Sequence, residues 1–148
     1  MNPLRPSAVL VVEDDPDYAR IAQIVLMALV PGIPIEICGV RAEAARALDD
    51  LPHGTLVLMD RVLHGVEAFD AIVELRVRRS DVAIVMLSAL LSSVDRAYAI
   101  ACGALDARRA GRRRGRRACA PPAARRLRRL VPTLLVPCAA VRARSSVA

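Results

Sequence analysis

Ala8-Val9-Leu10-Val11-Val12 runs straight into Glu13-Asp14-Asp15-Pro16, and further along Thr55-Leu56-Val57-Leu58-Met59 stops at Asp60. Short aliphatic, β-branched runs bounded by turn signals read as strands buried on both faces, as in a parallel sheet, and such sheets place their ligand sites just beyond the strand ends. Both runs end in acid, so the carboxylates of Glu13, Asp14 and Asp60 are expected to converge at one sheet edge. At a separation of about 5 Å and an effective dielectric of about 20, each like-charged pair repels by about 3 kcal/mol. A bare cluster of this kind takes up protons or recruits a cation. A hard divalent ion with oxygen ligands answers that need, Mg²⁺ before others. Asp15 has a plainer reading: followed by Pro16 at the first helical position and Asp17 in the first turn, it is a helix N-cap.

The rest of the first hundred residues alternates in the same manner. Ile21, Ile24, Val25, Ala28 and Leu29 recur at helical spacing and predict an amphipathic helix over 16–30, ended by Pro31-Gly32. A second strand is predicted over 33–38, and Ala44, Ala45, Leu48 and Leu51 mark a second helix running to Pro52. The third strand, 55–59, leads through a loop at His64-Gly65 into a third helix, with Phe69, Ile72 and Val73 inward and Arg76, Arg78 and Arg79 near its C-terminus, where the dipole favours cations. A fourth strand over 83–87 ends at Ser88. Ser93 is expected to cap a fourth helix whose Val94, Ala97, Tyr98 and Ala101 share a face, with Gly103 closing it. Strict alternation of strand and helix implies right-handed crossovers and an α/β, doubly wound parallel sheet.

At Asp106 the pattern stops. The rhythm calls for a fifth strand, but Ala107-Arg108-Arg109-Ala110-Gly111-Arg112 lacks the apolar run of a buried strand, so the fifth strand and fifth helix are expected to be lacking or irregular. Residues 1–106 then form one domain and 107–148 an Arg/Ala/Pro-rich, low-complexity tail expected to be disordered. Charge divides at the same place. Residues 1–106 hold nine arginines and all fifteen acids, net −6, whereas 107–148 hold thirteen arginines and no acid, net +13; together these make the +7 of the chain. The basic character that would suggest nucleic-acid binding therefore belongs to the tail alone. No lysine occurs anywhere.

With 148 residues and only 2% aromatics, the chain suits one domain with an aliphatic core. Prolines interrupt its most apolar late segment and the start lacks a secretory apolar region, so no membrane span is expected and a cytoplasmic location is. Cys38, Cys102, Cys119 and Cys138 show neither Cys-x-x-Cys spacing nor a nearby histidine pair and read as free thiols; His53 and His64 read as ordinary loop residues.

In order and spacing, Val11-Val12-Glu13-Asp14-Asp15-Pro16, Leu58-Met59-Asp60, Leu87-Ser88-Ala89 and Gly103-Ala104-Leu105-Asp106 make residues 8–106 resemble the receiver domain of bacterial response regulators, a flavodoxin-like fold. The resemblance implies a role in two-component or phosphorelay signalling, with Asp60 as phosphoacceptor from a sensor histidine kinase or a phosphotransfer protein. It further implies Mg²⁺ held by Glu13, Asp14, Asp60 and the backbone carbonyl of Val62, with Ser88 binding a phosphoryl oxygen and Ala89 leaving room for the group to enter. Such a domain is a signalling acceptor, not an enzyme. The chain departs from the family where His64 replaces a usual Pro and Ala68 a frequent Gly. It departs more seriously where the family's Lys and its switching aromatic fall on Ala110 and Ala107; Arg108 is the nearest substitute cation, although Arg mimics a compact ammonium poorly.

Competing readings follow from these departures. One is an impaired or inert pseudo-receiver acting only by binding other proteins, for which no labelling is expected; for the chain itself the expectation is slow or weak labelling with little switching, because nucleophile and metal ligands are present while the response elements are not. A metal-dependent phosphatase with an aspartyl nucleophile would want a second Asp two residues after Asp60, where Val62 stands. The tail itself reads as the frame-shifted end of a receiver, because Arg, Ala, Pro and Gly codons are what a GC-rich gene yields out of frame. Its rival is a genuine basic extension that contacts nucleic-acid phosphates. Sequencing the gene separates the two: the frame-shift reading expects the adjacent frame after Asp106 to encode an apolar strand followed by Lys-Pro, and a gene without one removes it.

Overall fold

The computed structural model describes residues 5–109. In chain order these form β1 (Val9–Val12), α1 (Pro16–Leu29), β2 (Ile35–Cys38), α2 (Arg41–Asp50), β3 (Leu56–Asp60), the short β4 (Val62–Leu63) and β5 (Val66–Glu67), α3 (Phe69–Arg78), β6 (Ala83–Ser88), α4 (Ser93–Ala101) and β7 (Asp106–Arg109). Five strands make one parallel sheet in the order β2-β1-β3-β6-β7. Because side chains alternate along a strand, each aliphatic run serves two cores at once. Leu10, Val12, Val57, Met59, Ile84 and Met86 pack with Leu48 of α2 and Ile72 and Leu75 of α3 on one face. Val9, Val11, Leu56, Leu58 and Val85 pack with Leu26 of α1 on the other. That division is what makes the sheet doubly wound.

Four expectations need correction. The sheet does have a fifth strand: β7 pairs in parallel with β6 from Val85↔Asp106 to Ser88↔Arg109. An edge strand needs no continuous apolar run, and here Ala107, 1% exposed, is the residue that packs into the core. Asp106, 6% exposed, tolerates burial because Arg96 Nε and Nη2 donate to its Oδ1 at 3.0 and 2.9 Å, Ala107 N–H donates at 2.8 Å and Arg108 Nε donates to its Oδ2. The fifth helix and the segment 110–148 lie outside the described residues.

The inward face of α4 also differs. Val94 and Tyr98 are 74% and 54% exposed, and Ala99 is the buried residue of the helix. Its small side chain lets α4 lie close to the sheet edge beside Ala104 and Ala107, while Tyr98 reaches sideways to Phe69, ring edge to face at 4.9 Å. The cap is Ser92, one residue earlier than expected: Ser92 Oγ accepts from Asp95 N–H and Asp95 Oδ2 accepts from Ser92 N–H, both at 3.0 Å, a capping box. In α3, Leu75 takes the inward place assigned to Val73, which is half exposed. Gly103 closes α4 at φ +108° as expected.

The loop after Asp60 is itself ordered. β4 and β5 form a hairpin whose two turn residues, His64 at φ 51° and Gly65 at φ 78°, both take the left-handed conformation that a tight two-residue turn demands.

At the sheet edge opposite the acids, Arg79 ties α2, α3 and the start of β3 together. Its Nη1 donates to Leu48 O and Leu51 O at 2.7 and 2.9 Å and its Nη2 to Pro52 O at 3.1 Å, satisfying carbonyls that the end of α2 leaves open. A two-pronged pair with Asp81, at 2.8 and 2.9 Å, holds the guanidinium in place, and Asp81 also accepts from Gly54 N–H at 3.1 Å. Arg79 first, and the Gly54 N–H after it, hold the Asp81 carboxyl well below its ordinary value of 3.8. A depressed carboxyl stabilises the fold above its unfolded value and loses that contribution as pH falls past it. Arg79→Ala should therefore lower the unfolding free energy in urea by about 2 kcal/mol at pH 7, with a smaller deficit below pH 3.8, where Asp81 no longer contributes fully.

Candidate functional site

Strand register decides which acids meet. Val12 lies beside Met59 in the β1–β3 pairing, so Glu13 and Asp60 leave the sheet side by side, and Asp14 follows on the same edge. The three carboxylates each offer an oxygen, and these lie within 4.8 Å of one another in a half-buried position. Local structure fixes each. Arg61 N–H donates to Asp60 Oδ1 at 2.8 Å, His64 N–H to Asp14 Oδ2 at 2.8 Å and Asp15 N–H to Glu13 Oε1 at 3.2 Å. Asp15 is the N-cap that its sequence context suggests, accepting from Asp17 and Tyr18 N–H at 2.9 and 3.3 Å, and so stands apart from the cluster.

The crowding shows in Glu13, whose carboxyl is pushed up to about 7, chiefly by burial and next by the charge of Asp60, with Asp14 and Asp15 adding to it. A half-buried oxygen cluster whose Glu13 carboxyl is raised by burial and by its acidic neighbours is suited to a divalent cation, and Glu13, Asp14 and Asp60 are of the hard-oxygen type that Mg²⁺ takes. Val62, two residues after Asp60, is half buried at the start of β4, opposite Glu67.

Ser88 ends β6 next to Leu87, the register partner of Asp60. Its buried Oγ donates to Leu90 O at 2.8 Å and accepts from Leu90 N–H at 3.2 Å, closing the turn after the strand around half-buried Ala89. Of the two family positions that the sequence leaves without their usual residues, Ala107 is in the core and Ala110 lies outside the described residues. Arg108, the substitute cation, is bonded to Asp106.

Two neighbours of the cluster do more than the sequence reading gives them: His64 reads there as an ordinary loop residue, and Arg61 goes unremarked. His64 is more than a loop residue: besides its main-chain bond to Asp14, its Nε2 donates to Gly39 O at 3.0 Å and its Nδ1 stands 3.7 Å from Asp14 Oδ2, tying the hairpin to the end of β2. Arg61, directly after Asp60, reaches Glu67 with Nη1 at 2.7 Å. The available signal was adjacency, a cation one residue from Asp60 in a chain without lysine.

No protein-family model matches the sequence, and no curated protein matches it. Solved structures do resemble the fold. A CheY-like receiver domain protein from Methanospirillum hungatei superposes with a TM-score of 0.67 at 18% identity, covering 88% of this chain and 94% of its own. The chemotaxis protein CheY4 of Vibrio cholerae gives 0.67 at 16% identity, over 87% and 98% of the two chains. The receiver domain of the Saccharomyces cerevisiae response regulator Ssk1, solved with the histidine phosphotransfer protein Ypd1, gives 0.59 at 24%, over 70% and 79%. The chain thus has the fold of response-regulator receiver domains.

The raised Glu13 carboxyl has a measurable sign. A carboxyl whose folded value lies above its ordinary 4.5 contributes stability that is complete below 4.5 and lost as pH rises through about 7. Metal-free protein in a chelator should therefore unfold at lower temperature at pH 8 than at pH 5.5, and Glu13→Gln, which keeps the shape without the charge, should flatten that slope.

Proposed function

We propose that the chain is the receiver of a two-component or phosphorelay system, in which Asp60 accepts a phosphoryl group from the phosphohistidine of a sensor kinase or a histidine phosphotransfer protein. One observation carries this reading: three carboxylates converge within 4.8 Å at the C-terminal edge of a receiver-type sheet, where the strands of such folds present their ligands. A carboxylate oxygen of Asp60 attacks phosphorus, the phosphorus–nitrogen bond of the donor breaks, and the imidazole leaves with the electron pair, forming an acyl phosphate on the aspartate. Glu13, Asp14, Asp60 and the Val62 carbonyl would hold Mg²⁺, which would supply countercharge for the phosphoryl oxygens. Ser88 Oγ exchanges its bond to Leu90 O for a phosphoryl oxygen, and the small Ala89 leaves the entrance open. The domain works as an acceptor and not as an enzyme with a separate substrate.

Among the described residues no helix is long and apolar enough to cross a membrane, and the domain meets its kinase in the cytoplasm on this reading. A nucleic-acid partner, the alternative to a frame-shifted end, would be met only through the Arg-rich tail 107–148. A second reading, an inert pseudo-receiver that only docks other proteins, is favoured by one observation: Ala107 fills the core position where a switching aromatic would stand, in a chain that has no lysine.

Incubation with acetyl phosphate and Mg²⁺ separates the two. Intact-mass measurement should find one added phosphoryl group, absent in Asp60→Asn, with labelling slowed about ten-fold or more in Asp14→Ala through loss of a ligand. Native chain that gains no mass would select the inert reading.

A further inference from the structure

Among the described residues one buried side-chain donor has no hydrogen-bond partner, and it is Nε of Arg61. Arg61 follows Asp60 directly, and its N–H is shared between Asp60 Oδ1 at 2.8 Å and Leu87 O at 2.9 Å. Its side chain, 19% exposed, is bonded through Nη1 to Glu67 of the β4–β5 hairpin and stands 4.0 Å from Asp95 Oδ1. Asp95 is the acid that closes the capping box of α4. A single cation therefore begins at the acceptor and ends at the first turn of a helix on the neighbouring edge.

Among the described residues, the charges around it leave Arg61 this task. Arg96 and Arg108 both bond to the buried Asp106. No lysine exists to meet a phosphoryl group. A phosphoryl group brings up to two negative charges and strong acceptor oxygens to the next residue, and the planar guanidinium matches such oxygens in pairs. Against that, the attraction of Asp95 at 4.0 Å is weak and partly solvated. The helix that would feel the change is lightly held, Ala99 being its buried residue, and its first turns carry exposed Val94 and Tyr98.

We infer that Arg61 is a positioning residue that passes the state of Asp60 to α4: when Asp60 carries a phosphoryl group, the guanidinium turns from Asp95 to the phosphoryl oxygens and the first turn of α4 loosens. The inference rests on the proposed function, since it requires a phosphoryl group on Asp60. It assigns the link between acceptor and helix to a cation on the acceptor loop, in a chain where neither the fifth-strand lysine nor the aromatic is present.

Amide hydrogen exchange of the full 148-residue chain, with and without acetyl phosphate and Mg²⁺, tests it. In the phosphorylated native protein, exchange over 93–98 should quicken about three- to five-fold, the range set by loss of one partly exposed ion pair. Asp95→Asn keeps the cap and removes the charge; it should exchange fast before labelling and change little after it. Arg61→Ala should behave likewise once corrected for the fraction labelled, and Arg61→Lys should recover part of the native response. A labelled native protein with unchanged α4, or an Asp95→Asn or Arg61→Ala variant with the native response, overturns the inference while leaving the proposed function standing. Native protein that takes no label on Asp60 removes both.

Discussion

The parallel pairing of Val12 with Met59 is the constraint on which the rest depends, because it fixes that the next residue on each strand is an acid and that the two acids are neighbours. The arrangement opposes folding at its own edge, at about 3 kcal/mol for each like pair some 5 Å apart. What holds it is the layer directly beneath. Leu10, Val12, Met59, Ile84 and Met86 are all fully buried, and each such side chain contributes about 1.5–3 kcal/mol on leaving water. A slip of one residue of β1 against β3 would turn Leu10 and Val12 to the wrong face. The core thus enforces the crowding that the carboxylates resist, and the elevated Glu13 carboxyl is where that conflict is visible.

A second consequence of the architecture is unequal anchoring on the two sides of the sheet edge. On the side of α2 and α3, Leu48, Ile72 and Leu75 are fully buried and Arg79 stitches the helix ends to the strand below. On the side of α4, an alanine is the residue that goes inward, and the helix relies on its capping box, the Tyr98–Phe69 edge contact and the Arg96–Asp106 pair. Segments with few buried apolar contacts open at low free energy. The helix that Arg61 approaches through Asp95 is thereby lightly anchored.

Much of this was legible in the residues because the signals were of the kind that only one structure satisfies. Two aliphatic runs ending in acid could be paired only in a parallel sheet, and that pairing brought Glu13, Asp14 and Asp60 together; Asp15-Pro16 announced a cap, and Gly103 a helix end. The errors share a cause, which is that composition reports an average over two faces. Val94, Ala97, Tyr98 and Ala101 do lie on one side of α4, yet that side faces outward, because the small Ala99 permits closer packing than the larger stripe would. The hairpin at His64-Gly65 was hidden because its first left-handed position holds histidine where asparagine or aspartate would signal the turn. Contacts such as Arg61 with Glu67 and Asp95 depend on where loops converge and have no periodic trace at all.

The fifth strand shows most clearly why a change in composition need not mark the end of a fold. Acids vanish after Asp106, yet the backbone continues parallel to β6 as far as Arg109. At an edge, alternate residues answer to different surroundings, so one small apolar residue, Ala107, is enough to seal the core side. Its neighbours carry opposite charges two positions apart, and Arg108 bonds Asp106 along the strand while Arg96 reaches the same carboxylate from α4. The last acid of the chain is thus matched to the first arginine of the basic segment. An acid that sits almost fully buried on an edge strand also makes that edge a poor template for pairing with another chain, since a second strand would have to meet a charge already satisfied from its own side. The arginines that look foreign to the domain therefore begin inside it, and the first of them stabilises the strand that its composition argued against.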